Sequence, residues 1–298
     1  MNYETSFKIE ILKNIRLAPY TGFKIGGPAK FFCVVKQYEE LLEALEFSHQ
    51  KNLNYFILGS GTNILVPDLG FSGVVIKNQI RNKSFEDGLL IASTGITLAE
   101  LFLFGHEYGL VGFEALATVP GTLGGAIYNN AHYGESLLSD FVEWVEVLQD
   151  GQLVRMQKQE LSFAYDSSVI KTNKLPAVRA ALRLPKGDVS LSKKTFLELL
   201  KKRGQNQPYG TFNAGCIFQN TPKILGPGNH GTSAGWLIEQ VGLKGKCLGG
   251  IKVSEKHGNF FVNNGTGTAN EILNLIQLCK QEVFKKFEVH LETEIKIL

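Results

Sequence analysis

The sequence predicts an α+β fold built from several modules. Three observations carry that prediction. A strand–helix–strand crossover lies between residues 29 and 58, a mostly β block follows from 74 to 184, and a strongly amphipathic helix precedes a short terminal strand. A chain of 298 residues exceeds what one core usually serves, so two or three modules are expected.

The crossover begins with "AKFFCVV" (29–35), a buried strand by its unbroken apolar run. "KQYEELLEALEFSHQKN" then places Tyr38, Leu41, Leu42, Leu45 and Phe47 mostly at helical spacing. "LNYFIL" (53–58) is the second strand, and the three elements fit the length of a right-handed βαβ unit. "GSGTN" (59–63) follows at the carboxyl end of that strand.

In the central block, "VVIKNQI" and "LLIASTG" alternate with turns. Thr97 and Glu100 have capping-box spacing for a helix that Gly109 closes. "FVEWVEVLQDGQLVRM" (141–156) predicts a hairpin turning at Asp150-Gly151, and "AVRAALRL" (177–184) another strand. A helical run near 190–205 leads to the third block. There Thr268 and Glu271 cap a helix whose apolar stripe is Ile272, Leu275, Ile276, Cys279, Val283 and Phe287. "LETEIKIL" ends the chain as a strand.

Composition narrows the function classes. Net charge is +3, and the densest basic cluster, "KKRG" at 201–204, has too few cations for a phosphate backbone, so no nucleic-acid partner is expected. Cys33, Cys216, Cys247 and Cys279 lie far apart without a C-x-x-C pair, which argues against a metal site and a disulfide framework. No apolar run approaches ~18 residues and no leader-like segment opens the sequence, so no membrane association and a reducing cytoplasm are expected. A monomer is expected.

Two glycine-rich stretches invite a ligand. "GSGTN" has Ile64 where a third dinucleotide-fingerprint glycine belongs, so it reads either as a phosphate loop or as a tight turn. "LATVPGTLGGAIYNN" (116–130) carries no charge and lacks the lysine of a Walker loop. It offers backbone amides and the hydroxyls of Thr118 and Thr122, with Pro120 stiffening its entry and Gly124 and Gly125 permitting close approach. Such a loop suits a pyrophosphate held without a metal, and the pair of loops favours a dinucleotide cofactor between two subdomains; the alternative is a cluster of structural turns.

Seven segments in order resemble one family: "TGFKIGGPAKFF", "LGSGTNILVPDLGFSGVVI", "PGTLGGAIYNNA", "AGCIFQN", "AGWLIEQVGLKGKCLGG", "VSEKHGNFFVN" and "LETEI". Over nearly the whole chain they are similar to UDP-N-acetylenolpyruvoylglucosamine reductases, in the shorter variant without a substrate-covering tyrosine loop. The resemblance implies an FAD-binding fold of the vanillyl-alcohol-oxidase type, with subdomains at 1–76 and 77–205, a substrate domain at 206–285 and a returning strand at 286–298. It implies non-covalent FAD, NADPH as reductant, and reduction of the enolpyruvyl ether of a UDP-sugar in cytoplasmic peptidoglycan synthesis.

Carried over by position, the cofactor residues are Gly59, Ser60, Gly61, Thr62, Asn63, Ile64, Thr118, Pro120, Gly121, Thr122, Gly124, Gly125 and Asn130. Tyr165, Asn220 and Gln207 are the implied substrate contacts. Glu294 is the implied carboxylate near the substrate carboxyl group. Cys216 stands where the family has a serine proton donor, and a thiol titrating near ~8.5 is a competent acid.

The sequence departs from the family at "FAYDSSVIK" (163–171), where Asp166 occupies an arginine position. A carboxylate cannot stabilise a developing enolate. Either Lys171 or Arg179 supplies the charge, or the chain is an FAD-binding paralogue with altered or lost reductase activity. "NNAHYGE" is also shorter than the family pattern, and His132 offers a replacement polar group there; His257 reads as structural. An oxidase acting on an unrelated alcohol is the third reading, disfavoured by the retained substrate-block motifs and Glu294.

Overall fold

The computed structural model describes residues 8–223 and 232–298. In chain order the first elements are β1 (Leu12–Arg16), β2 (Pro28–Val35), α1 (Tyr38–Gln50), β3 (Tyr55–Leu58), β4 (Ile64–Leu65), β5 (Phe71–Asn78), β6 (Lys83–Glu86) and β7 (Leu89–Ser93). Next come α2 (Leu98–Glu107), α3 (Glu114–Ala117), α4 (Leu123–Asn129), β8 (His132–Tyr133), β9 (Ser136–Leu137), β10 (Val142–Gln149), β11 (Gln152–Gln157), α5 (Val169–Thr172) and β12 (Ala177–Leu182). The chain continues through α6 (Val189–Asn206), α7 (Ala234–Gln240), β13 (Cys247–Leu248), β14 (Ile251–Val253), β15 (Phe261–Asn263), α8 (Ala269–Phe287) and β16 (Lys296–Ile297).

These elements form two compact units that alternate along the chain. The first unit is 1–13, 31–60 and 73–200; the second is 14–30, 61–72 and 201–298.

The first unit has two cores. In one, α1 buries Leu41, Ala44 and Phe47 against Cys33, Val35, Val74 and Ile76. The sheet there runs β1-β2-β5-β3, so β5 inserts between the two strands of the expected crossover, and β3 pairs with β5 in parallel. In the other, an antiparallel sheet of order β11-β10-β12-β7-β6 packs helices over Leu90, Leu101, Phe113, Leu123, Ile127 and Val145. The hairpin turns at Asp150 and Gly151, both at positive φ (50° and 75°), the geometry a two-residue turn of this hand requires. The central block is less β-rich than the sequence suggests, because α2, α3 and α4 all lie within it.

The second unit gathers one core around α8. Its buried stripe of Ile272, Leu275, Ile276, Cys279 and Val283 packs with Phe23, Leu65, Ile217, Phe218, Leu237 and Phe261. The small sheet β13-β14-β15 lies in this unit, as does the parallel pair of β16 with β4. The expected terminal strand shrinks to two residues, since Glu294 precedes it and the chain before it makes only an isolated bridge from Thr293 to Phe218. Among the described residues no helix is long and apolar enough to cross a membrane.

Candidate functional site

In the first unit the end of β3 meets the start of α4. A Cβ built on Gly59 would lie 2.4 Å from the Thr122 hydroxyl, so only glycine fits there. Thr122 is the N-cap of α4, and its Oγ1 accepts a hydrogen bond from the Gly125 amide (3.4 Å). Gly124 and Gly125 therefore sit in the first turn of a helix rather than in a free turn.

Tertiary bonds hold that helix start in place. The Leu123 amide donates to Ile96 O (2.8 Å) and the Gly124 amide to Thr94 O (2.9 Å), while a Cβ on Gly124 would come within 2.9 Å of the Thr94 side chain. Gly125 differs: it is exposed, and an added Cβ would meet only Thr122 Oγ1 at 3.7 Å. Thr118 is buried and donates to Ala115 O (2.7 Å) at the end of α3, while Pro120 is exposed.

Asn130 closes α4 in the left-handed region (φ 47°). Its amide is used at both ends, accepting from the Ser139 amide (3.0 Å) and donating to Ala164 O (3.2 Å). That second bond fixes the turn holding Tyr165 and Asp166, which Ala164 and Ser167 close by exchanging backbone bonds of 3.0 and 3.2 Å. Ser168 adds another tie, donating to Tyr128 O (2.9 Å). Asp166 is buried at φ 50°, with its carboxylate 3.7 Å from His132 Nδ1.

The two candidate replacement cations separate here. Lys171 Nζ donates to Asp166 O (2.7 Å) and to Asn129 Oδ1 (3.1 Å), beside the carboxyl end of α4, where a cation is favoured. Arg179 instead pairs with Glu146 on the sheet, together with Arg155, whose Nη2 lies 2.8 Å from the same carboxylate. Burial is the largest single influence and pushes the Glu146 carboxyl up, but the hydrogen bonds and charges of Arg179 and Arg155 together overcome it and hold the carboxyl below its usual range. Arg179 is thus a partner of Glu146, not the cation of the Asp166 turn. Tyr165 is exposed, its ring 5.2 Å from that of His132.

The second unit holds the rest of the "GSGTN" loop. Gly61 has φ 70°, and a Cβ there would lie 2.1 Å from Tyr20 O; its own carbonyl accepts from the Gly22 amide (2.8 Å). The "TGFKIGG" segment thus clamps the loop from behind. Asn63 O accepts from the Lys296 amide (3.1 Å), which ties the loop to β16, and Asn63 Oδ1 is buried without a hydrogen-bond partner. A buried acceptor of that kind costs free energy unless a ligand or water donates to it.

Cys216 stands beside this loop. Gly215 has φ 76°, a position from which its missing side chain would meet only Thr62 O, at 3.8 Å. The Gly215 amide donates to Asn213 Oδ1 (3.1 Å), which shapes the turn that presents the half-buried Cys216 thiol. The next residue, Ile217, accepts from the Glu294 amide (2.9 Å) and donates to Asn259 O (2.9 Å). Cys216 and Glu294 are therefore carried on hydrogen-bonded neighbouring segments.

Asn259 braces both sides of Phe218, accepting from its amide (2.9 Å) and donating to its carbonyl (2.7 Å). Asn220 Oδ1 accepts from the Ala234 amide at the start of α7 (3.0 Å), and Gln207 Oε1 accepts from Arg203 Nε (3.1 Å). His257 is structural by its contacts: Nδ1 accepts from the Asn259 amide (3.2 Å) and the ring abuts Phe260.

These residues fit a flavin dinucleotide. Each unit taken by itself has features suited to part of one: in the second, the orphaned Asn63 acceptor needs a donor; in the first, Gly125 leaves open space at a helix start; and neither glycine stretch carries an acidic side chain that would repel a diphosphate. One residue of this neighbourhood escaped the sequence reading. Lys77 on β5 donates its ammonium to Gly59 O. Only the parallel register of β5 beside β3, Lys77 opposite Leu58, reveals it, and no local motif marks that pairing.

Residues 207–298 match the family described as UDP-N-acetylenolpyruvoylglucosamine reductase, C-terminal domain, and residues 29–157 match an FAD binding domain family. A UDP-N-acetylenolpyruvoylglucosamine reductase of Caldanaerobacter subterraneus subsp. tengcongensis is 39% identical, over 97% of this chain and 96% of that protein. The protein of that name from Chlamydia felis is 34% identical, over 98% and 96%. A crystal structure of UDP-N-acetylenolpyruvylglucosamine reductase from Thermus caldophilus superposes with a TM-score of 0.81 at 31% identity, covering 97% of this chain and 98% of the other.

Proposed function

The chain belongs to the UDP-N-acetylenolpyruvoylglucosamine reductase family, and from that premise we propose how its own residues divide the work. The α+β fold is that of a vanillyl-alcohol-oxidase-type flavoprotein, and the activity is FAD-dependent reduction of UDP-N-acetylglucosamine enolpyruvate to UDP-N-acetylmuramate with NADPH. Nothing favours a paralogue that has lost this activity, or an alcohol oxidase.

Bound FAD supplies the two-electron chemistry that side chains lack, linking NADPH to the enolpyruvyl double bond. Gly59 to Ile64 and Thr118 to Gly125 would hold it, and Asn63 Oδ1 is a buried acceptor available to it. The β-carbon receives a hydride, which leaves negative charge on the α-carbon and carboxylate until a proton arrives. Cys216 gives that proton from Sγ, and solvent reprotonates the thiolate. Glu294 orients the carboxyl end of the substrate. Lys171 supplies positive charge at the turn where Asp166 replaces the family arginine, and Asp166 orders that turn through its left-handed backbone and its His132 contact.

Asn220 and Gln207, in the 206–285 part of the chain, and Tyr165, outside it, are proposed contacts of the UDP-sugar. We take the enzyme to act as a cytoplasmic monomer, with neither nucleic acid nor membrane as partner.

The observation that carries the reading is the second unit's grouping of the cofactor loop at Thr62 with the Gly215–Cys216 turn, and of that turn with Glu294. Steady-state NADPH oxidation tests it. Oxidation should require the enolpyruvyl UDP-sugar and yield UDP-N-acetylmuramate; oxidation with oxygen alone, indifferent to the sugar, would defeat it.

A further inference from the structure

The cofactor reading leaves an electrostatic gap. FAD brings a diphosphate, yet "GSGTN" and "PGTLGGA" contain no cation. A dianion leaving water for a partly enclosed loop needs donors and positive charge to offset its lost hydration. Within the first unit, Lys77 answers that need. It lies on β5 opposite Leu58, the last residue of β3, and its ammonium is hydrogen-bonded to the carbonyl of Gly59. Burial, and then the nearby Arg81 charge, lower its pKa, the mark of an ammonium withdrawn from solvent.

The bond also sets a direction. In a trans peptide the C=O and the following N–H point to opposite sides. With the Gly59 carbonyl turned to Lys77, the Ser60 amide is turned away from it. The Gly59 backbone has little freedom to rotate, because the Thr122 hydroxyl occupies the place of its missing side chain. Thr122 is in turn the cap that receives the Gly125 amide, so Lys77, Gly59, Thr122 and Gly125 form one connected set joining both glycine stretches.

We propose that Lys77 is the positioning residue of the cofactor loop: it fixes the Gly59–Ser60 peptide so that the Ser60 amide faces the diphosphate, and it supplies the positive charge the loop lacks. This rests on the reading of the glycine stretches as the FAD site. A purely structural strand lysine would be indifferent to the ligand's charge.

The test uses full-length holoenzyme stripped of flavin and titrated with FAD, following the quenching of flavin fluorescence at several NaCl concentrations. Lys77→Met should weaken FAD binding at least ~10-fold and flatten its salt dependence, because one fewer cation is screened. The apoprotein melting temperature should stay within a few degrees of wild type. Lys77→Arg should restore binding to within roughly threefold, since it keeps both donor and charge.

Wild-type affinity and salt dependence in Lys77→Met would overturn the proposal, as would an arginine variant as weak as the methionine one. Should the methionine variant fail to fold, the arginine variant and its salt dependence decide alone: wild-type-like values support the proposal and a flat, weak titration sinks it. Wild-type protein that takes up no FAD would instead overturn the cofactor reading, and this proposal with it.

Discussion

At the scale of single residues, Cys216 carries the sharpest expectation. Its turn is shaped by Gly215 at φ 76° and by the Asn213 side chain, so removing the thiol leaves the backbone unchanged. Cys216→Ala should therefore let NADPH bleach the flavin at the wild-type rate, while reoxidation by the enolpyruvyl sugar slows roughly 10²-fold, the scale of a lost general acid. Cys216→Ser should recover part of that. Wild-type reoxidation in stopped flow would remove Cys216 from the mechanism. Glu294→Gln should lower kcat far more than it raises KM, because the carboxylate serves charge that develops only in the transition state; an unchanged kcat would leave it an ordinary carboxylate near the chain end. Gly125 separates charge from shape. Its surroundings accept a methyl group, so Gly125→Ala should bind FAD within a few-fold of wild type. Gly125→Asp suits a helix N-terminus and should fold, yet its negative charge beside the diphosphate should abolish binding in an equilibrium titration. Equal affinities would mean that the diphosphate lies elsewhere.

At the scale of elements, what was legible in the sequence depended on whether a local bond made the element. The capping boxes expected at Thr97–Glu100 and Thr268–Glu271 were, because each pair meets within three residues in the structure as in the sequence. The Asp150-Gly151 hairpin was legible for the same reason. The helix α4 was not: two glycines in its first turn disfavour a helix, and the bonds to Thr94 O and Ile96 O that hold it come from far away in sequence. The strand at "LETEIKIL" was overread, because within it only Lys296 and Ile297 find a partner strand, at Ile64 and Leu65. The Lys171 assignment needed structure too, since no spacing rule distinguishes it from Arg179. The local argument gives a measurable cost. Thr268 caps the 19-residue α8 through the Glu271 amide (3.2 Å), and Asp68 adds bonds to the Ala269 and Asn270 amides. Thr268→Ala should cost about 1 kcal/mol in urea unfolding. A change below a few tenths would show that Asp68 alone satisfies the helix start.

At the scale of the whole molecule, the interleaving of the two units was hidden from the sequence, because residues 14–30 and 61–72 join 201–298 through pairings no local pattern announces. Each unit nevertheless contains, among its described residues, a histidine whose pKa the fold lowers, and this predicts how the protein responds to acid. In the first unit His106 Nε2 lies 2.9 Å from Ser192 Oγ, which bonds Glu114, while Nδ1 is buried without an acceptor for a second proton. Burial, and then the Lys193 charge, lower its pKa against the opposing pull of Glu114. In the second unit burial does the same to His257, helped by Lys244 and opposed by Glu239. A base whose folded pKa is lowered costs nothing above its unfolded value. As pH falls through ~6.5 the unfolded chain takes up protons that the folded one refuses, so stability declines from there downward until the folded values are reached. The two tryptophans let each unit be followed separately, since Trp144 belongs to the first and Trp236 to the second. In Trp236→Phe protein, urea midpoints read at Trp144 should fall between pH 7.5 and 5.5, and His106→Gln should flatten that fall. In Trp144→Phe protein, read at Trp236, His257→Gln should do the same. A midpoint that stays level across this range in both backgrounds would mean that the fold lowers neither imidazole's pKa.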